Sequence, residues 1–237
     1  MKLNTQEWGT GDRVALLVHG IMSDHRTWRR VGPALAERGY RVIAVDQRGH
    51  GLSPRGAGET PQERYALEAY AEDLVETLPA GVSLELAVGH SLGGITLLRA
   101  VERLAPARAV YVDPAWQFGQ AEGVDPAMFV EFRHATREQI AGLNPRWEAE
   151  DIEVELATLA AWDPDSALAM PGQHSGLPVA PAVPSLVVLA DQSFLVSAED
   201  AELLRRRGFE VRTVPGAGHT VHRDDHEGFL AALEGWI

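Results

Sequence analysis

Val88-Gly89-His90-Ser91-Leu92-Gly93-Gly94 follows the apolar run Leu84 to Val88 and opens the periodic segment Leu92 to Leu104. It therefore stands where a buried strand turns sharply into a helix. A side chain at Gly89 or Gly93 would collide as strand and helix close on each other, and the serine between them takes strained backbone geometry. Such a turn lifts the Ser91 hydroxyl clear of a sheet. It also puts the Leu92 N–H at a helix N-terminus, where unpaired donors and the helix dipole favour negative charge. The pattern G-x-S-x-G in this setting predicts a nucleophilic serine. A glycine-rich turn with an incidental serine is the competing reading; the flanking strand, the helix and the second glycine weigh against it.

Outward from this turn, the chain alternates. Met1 to Trp8 can form an edge strand, and Val14 to Val18 is a continuous apolar run of the kind buried on both faces of a parallel sheet. A helix is predicted over Thr27 to Arg38, with Trp28, Val31 and Leu35 on one face, then a strand over Arg41 to Val45. That strand delivers a glycine-rich turn, Asp46 to Ser53, in which Asp46, Arg48 and Gly49 are expected to hold the backbone. A helix over Leu67 to Leu78 precedes the serine turn, and Arg108 to Val112 is a strand stopped by Asp113-Pro114. Strand and helix in alternation predict a mostly parallel sheet with helices on both faces. The order breaks from Ala115 to Pro181, where aromatic and apolar residues recur at helical spacing, so residues 115–181 read as a helical insertion over the sheet edge. Core alternation resumes with Ser185 to Ala190, a helix over Ala198 to Arg207, the strand Glu210 to Val214 and a last helix over Asp224 to Ile237. Residues 1–114 and 182–237 form the core in this reading.

The 237 residues suffice for one domain with an insertion. A net charge of −13, from 21 Lys plus Arg against 34 Asp plus Glu, repels phosphate backbones and anionic membrane surfaces. Nucleic acid and membrane are therefore not expected partners. The absence of cysteine excludes thiolate metal sites and cysteine catalysis. With no apolar leader and no apolar run of membrane length, the expected location is cytoplasmic. His219, His222 and His226, with Asp224 and Asp225, have a spacing a metal could use, but a polar helix start explains them, and no metal or cofactor is expected.

The serine turn, His19-Gly20, the Asp46 to Ser53 turn and Gly216-Ala217-Gly218-His219 occur in an order that resembles the α/β-hydrolase superfamily, over the whole chain except the insertion. The resemblance implies the α/β-hydrolase fold with a helical cap at 115–181, Ser91 as nucleophile and His219 as general base. It implies an oxyanion hole made by the Ile21 and Leu92 N–H groups, and makes Met22, Trp116 and Phe118 candidate substrate contacts. It leaves the triad acid open, because Ser193 stands where the superfamily usually carries its aspartate. Asp113, at the end of the strand after the serine helix, is the favoured substitute; Asp191 is the alternative. The implied activity is hydrolysis of a small, largely uncharged ester, thioester or lactone through an acyl-enzyme, of the esterase kind. Carbon–carbon bond hydrolysis on the same triad and a non-catalytic ligand-binding role are the competing functions. Epoxide hydrolases and haloalkane dehalogenases of the superfamily use aspartate where this chain has Ser91.

Overall fold

The computed structural model describes residues 1–118, 125–173 and 175–237; residues 119–124 and 174, inside the expected insertion, lie outside the described residues. Its strands are β1 (Thr5–Trp8), β2 (Arg13–Val18), β3 (Tyr40–Val45), β4 (Leu84–His90), β5 (Arg108–Val112), β6 (Ser185–Leu189) and β7 (Glu210–Thr213). They form one sheet in the order β1-β3-β2-β4-β5-β6-β7. Only β1 is antiparallel, to β3; all other neighbours run parallel.

The continuous apolar strands are divided between two cores by the two-residue period of the pleat. Leu16 and Val18 of β2, Ala87 of β4 and Tyr111 of β5 face one side, while Ala15, Leu17, Val88 and Val112 face the other. Helices α3 (Leu67–Thr77), α4 (Leu92–Leu104) and α9 (Ala198–Arg206) cover the first side. The 3-10 turn His25–Trp28 and helices α1 (Val31–Ala36), α10 (Val221–Asp224) and α11 (His226–Ala232) cover the second. The short helix α2 (Pro61–Arg64) precedes α3, and α5 (Ala127–Phe132), α6 (Arg137–Leu143), α7 (Ala149–Ala160) and α8 (Asp165–Leu168) lie between β5 and β6.

Two expected helices are shorter than the sequence pattern suggests. Pro33 has no N–H to donate and is tolerated only in a first helical turn, so α1 begins at Val31 and the preceding residues close a 3-10 turn capped by Asp24. The last helix is split at Asp225, whose extended backbone and side-chain bond to the Gly228 N–H start α11 afresh.

The strand order reverses direction between β2 and β4, and in open parallel sheets ligands bind outside the carboxyl ends of the strands at such a reversal. The two loops there are His19-Gly20-Ile21 after β2 and the serine turn after β4. Ser91 occupies the left-handed region, at φ 52° and ψ −114°, a strained conformation for a residue with a side chain. A Cβ at Gly89 would run into the Gly93 carbonyl, and one at Gly93 into the Val18 carbonyl.

Candidate active site

Asp46 organises the turn behind the site. It accepts from the Asn4 side chain, the Leu52 N–H and both the N–H and Nδ1 of His25. Burial pushes its carboxyl up, yet the His25 hydrogen bond and the nearby His19 hold it below the usual carboxylate range. Arg48 is also buried, with its guanidinium on Asp73 and on the Arg64 and Ala69 carbonyls. Both residues hold the backbone, as their place in a glycine-rich turn suggested.

His19 fixes the loop after β2. The Gln47 N–H donates to His19 Nε2 at 2.9 Å, so the ring proton is on Nδ1, which donates to the Gly20 carbonyl at 2.7 Å. Gln47 also donates to the His19 carbonyl, and Thr96 donates to Gln47. Burial lowers the His19 pKa, keeping the ring neutral. Because N–H and C=O of one peptide point in opposite directions, holding the Gly20 carbonyl back turns the Ile21 N–H away from it. Neither the Ile21 nor the Leu92 N–H meets an acceptor among the described residues. The sequence marked His19-Gly20 but carried no sign of this tautomer lock, which depends on Gln47 across the sheet.

Main-chain bonds align the ends of β4 and β5. The Ser91 N–H donates to the Val112 carbonyl at 3.0 Å, and the Ala115 N–H donates back to the Ser91 carbonyl at 3.2 Å. Asp113, between those partners, is wholly buried and has φ 38°. Its Oδ1 accepts from the Ala190 N–H, and its Oδ2 lies 2.6 Å from His219 Nδ1. A carboxylate only accepts, so Nδ1 carries the proton and Nε2 keeps a lone pair. Asp191 is exposed and makes no hydrogen bond to His219 among the described residues. Ser193, at the position where an acid was looked for, instead accepts from the Leu195 and Val196 N–H groups.

Ser91, Leu92, Ile21, Met22, Phe118 and His219 all line one cavity of about 420 Å³. Trp116 does not reach it. The indole is fully buried in the core, donates to the Gly94 carbonyl at 3.2 Å and packs on Tyr111 and Phe209. Cavity residues that the sequence did not single out are Glu155 and Arg223, which meet across 68 positions of chain, and Asn144; His222, noted there only for its spacing, also lines the cavity. The histidine and aspartate group near the C-terminus does not gather into a ligand set. Among the described residues, the three that approach one another closely enough are Asp24, His25 and Asp46, and these are occupied by Arg26, by each other and by the turn.

With this geometry, residues 15–232 match the Alpha/beta hydrolase family. The chain belongs to that family. It is 29% identical, over 99% of its length and 91% of the relative's, to the 2-(acetamidomethylene)succinate hydrolase of Mesorhizobium japonicum. Among solved structures, the N-formylmaleamic acid deformylase of Pseudomonas putida superposes with a TM-score of 0.76 at 25% identity, covering 97% of this chain and 94% of that one. An esterase from Thermogutta terrifontis shares the fold, with a TM-score of 0.72 at 23% identity over 99% and 92% of the two chains. This α/β hydrolase has no helix among its described residues long and apolar enough to cross a membrane.

Proposed function

We propose that this α/β hydrolase is a serine hydrolase cleaving a small, largely uncharged ester, thioester or lactone through an acyl-enzyme on Ser91. The reading is carried by one observation: the buried Asp113 carboxylate lies on Nδ1 of His219, and the His219 ring lines the same cavity as Ser91. As Ser91 Oγ attacks the carbonyl carbon, its proton passes to His219 Nε2, and Asp113 stabilises the imidazolium. The carbonyl oxygen becomes an oxyanion held by the Ile21 and Leu92 N–H groups. Collapse expels the leaving group, which takes the proton from His219. Water then gives a proton to His219 and attacks the acyl carbon; as the acyl C–O bond breaks, His219 returns that proton to Ser91 Oγ and the acid leaves. Helices α5–α8 act as the cap that closes this cavity.

The names of two relatives that span the chain point to N-formyl and acetamido substrates, so amide cleavage by the same steps is the second reading. Carbon–carbon cleavage and binding without turnover draw no particular support from these residues. Treatment with a fluorophosphonate followed by peptide mass spectrometry tests the mechanism, and a panel of short esters, thioesters, lactones and N-acyl amides tests the bond type. The expected result is an adduct on Ser91, absent in Ser91→Ala, with turnover of the esters. An adduct elsewhere, or full activity in Ser91→Ala, overturns it.

A further inference from the structure

The cavity has two chemically different ends. Ala115, Phe118, Met170 and Leu195 pack with the main core and make one end apolar. The other end holds Glu155 from α7, Arg223 from α10, and Asn144 and Trp147 from the segment between α6 and α7. Arg223 is 2% exposed and Glu155 9%. Arg223 Nη1 donates to Glu155 Oε2 at 2.6 Å, Nη2 donates to the Asp151 carbonyl oxygen, and the Trp147 ring covers the guanidinium at 3.5 Å. The second oxygen of Glu155, Oε1, accepts from no protein group among the described residues. The side-chain oxygen of Asn144 is likewise unengaged, since its amide nitrogen donates to Ile140.

A buried ion pair contributes little to stability compared with apolar residues of the same size, because both charges lose their hydration. Here the pair lines a cavity, and one strong acceptor in it has no partner. A carboxylate oxygen that faces the cavity without a protein donor is open to a ligand donor, which would gain a charge-assisted hydrogen bond there.

Building on the serine-hydrolase reading above, we propose that Glu155, held by Arg223, is a specificity-determining residue that accepts a hydrogen bond from a neutral donor, a hydroxyl or amide N–H, on the substrate away from the scissile bond. The neutrality of the pair makes the choice. A substrate carboxylate would meet the free oxygen of Glu155 while the guanidinium is out of reach: Nη1 and Nη2 are bonded to Glu155 and the Asp151 carbonyl, and Nε, without a hydrogen-bond partner among the described residues, is buried 3.6 Å from the Asp151 carboxylate. An ammonium group would meet Glu155 only with Arg223 beside it. A neutral donor satisfies Oε1 without adding an uncompensated charge. This sets the chain apart from the relatives whose names carry succinate and maleamate acids.

Two matched ester series test this, one varied at the end of the acyl chain and one at the end of the alkoxy chain, each ending in methyl, hydroxymethyl, ammonium or carboxylate. In at least one series the hydroxyl compound is expected to exceed the methyl compound in kcat/KM by about ten- to a hundredfold, with both charged compounds below methyl. In Glu155→Met the ratio of hydroxyl to methyl falls to about one or lower. Because that variant leaves Arg223 buried beside fewer acceptors, the double variant Glu155→Met with Arg223→Met is measured too, and the same loss of preference is expected. A wild-type ratio of one or less in both series, a preference for the carboxylate, or a preference kept in the double variant overturns the assignment. If phosphonate labels Ser91 and esters turn over without donor preference, this inference fails alone. If neither labelling nor turnover of any ester occurs, the serine-hydrolase reading fails and takes this one with it.

Discussion

His90 Nε2 lies 3.0 Å from the main-chain carbonyl oxygen of His219. A carbonyl only accepts, so His90 donates through Nε2, and the residue next to the serine holds the loop that carries the imidazole. Burial keeps the His90 pKa well below its ordinary value, so the ring stays neutral and serves as a strut. His90→Phe, which keeps the ring and loses the donor, is expected to lower kcat about tenfold to a hundredfold with a smaller change in KM, the scale of a small displacement of a reacting group. His90→Gln, whose amide nitrogen reaches a similar distance, should recover part of the loss. Equal kcat values for Phe and Gln variants would refute the strut.

Asp113 and Asp191 can be compared directly. Asp113→Asn removes the charge facing His219 Nδ1 and permits the wrong tautomer, for which a loss of about four orders of magnitude in kcat is expected. Asp191→Asn should leave kcat within about twofold, because an exposed group away from the reacting atoms contributes little. Circular dichroism of both variants checks folding. Loss of activity in the second with retention in the first would move the acid to Asp191.

Acid pH should destabilise the fold. Burial lowers the pKa values of His19, His50, His90, His222 and His226, in His50 to about 3, whereas Asp46 raises that of His25. An unfolded histidine titrates near 6.5. Below that value the unfolded chain binds protons that these five rings, four buried and His226 half-buried, refuse, so stability falls as pH falls, down to the folded pKa values. His25 acts in the opposite sense, and it is one group against five. Tm measured at pH 7.5 and pH 5.0, where carboxylates are still ionised, should drop by about 5 °C or more. A flat or rising Tm would refute the balance.

Trp116→Ala is expected to act on stability, since the indole is enclosed by Tyr111, Phe209 and the Gly94 carbonyl. The loss should be about 3–5 kcal/mol by urea unfolding. A change in ester preference with unchanged stability would contradict its position in the core.

The serine turn, the sheet strands and the region between β5 and β6 were legible because their signals are local: glycines where a Cβ would collide, apolar runs, and turn residues at strand ends. The place of Asp113 followed from strand register, since consecutive parallel strands end side by side. What the sequence did not disclose depends on residues far apart in the chain. Trp116 and Phe118 stand two positions apart and pack on the same core, yet only Phe118 reaches the cavity. Nothing in their immediate neighbours distinguishes the two. Glu155 and Arg223 were not legible as cavity residues, because a charge on an amphipathic helix reads as solvent-facing until a partner from another element covers it.

The Asp191 N–H holds the His219 loop through the Ala217 carbonyl at 2.9 Å, but beyond it residues 192–197 make no hydrogen bond to the His219 ring, which Asp113 at the end of β5 holds. This stretch folds on itself through Ser193 and presents Phe194, 70% exposed, beside the imidazole at 5.2 Å between ring centres. Exchange of the exposed side chain at Phe194 therefore changes the mouth of the cavity while leaving the bond between Asp113 and His219 as it is.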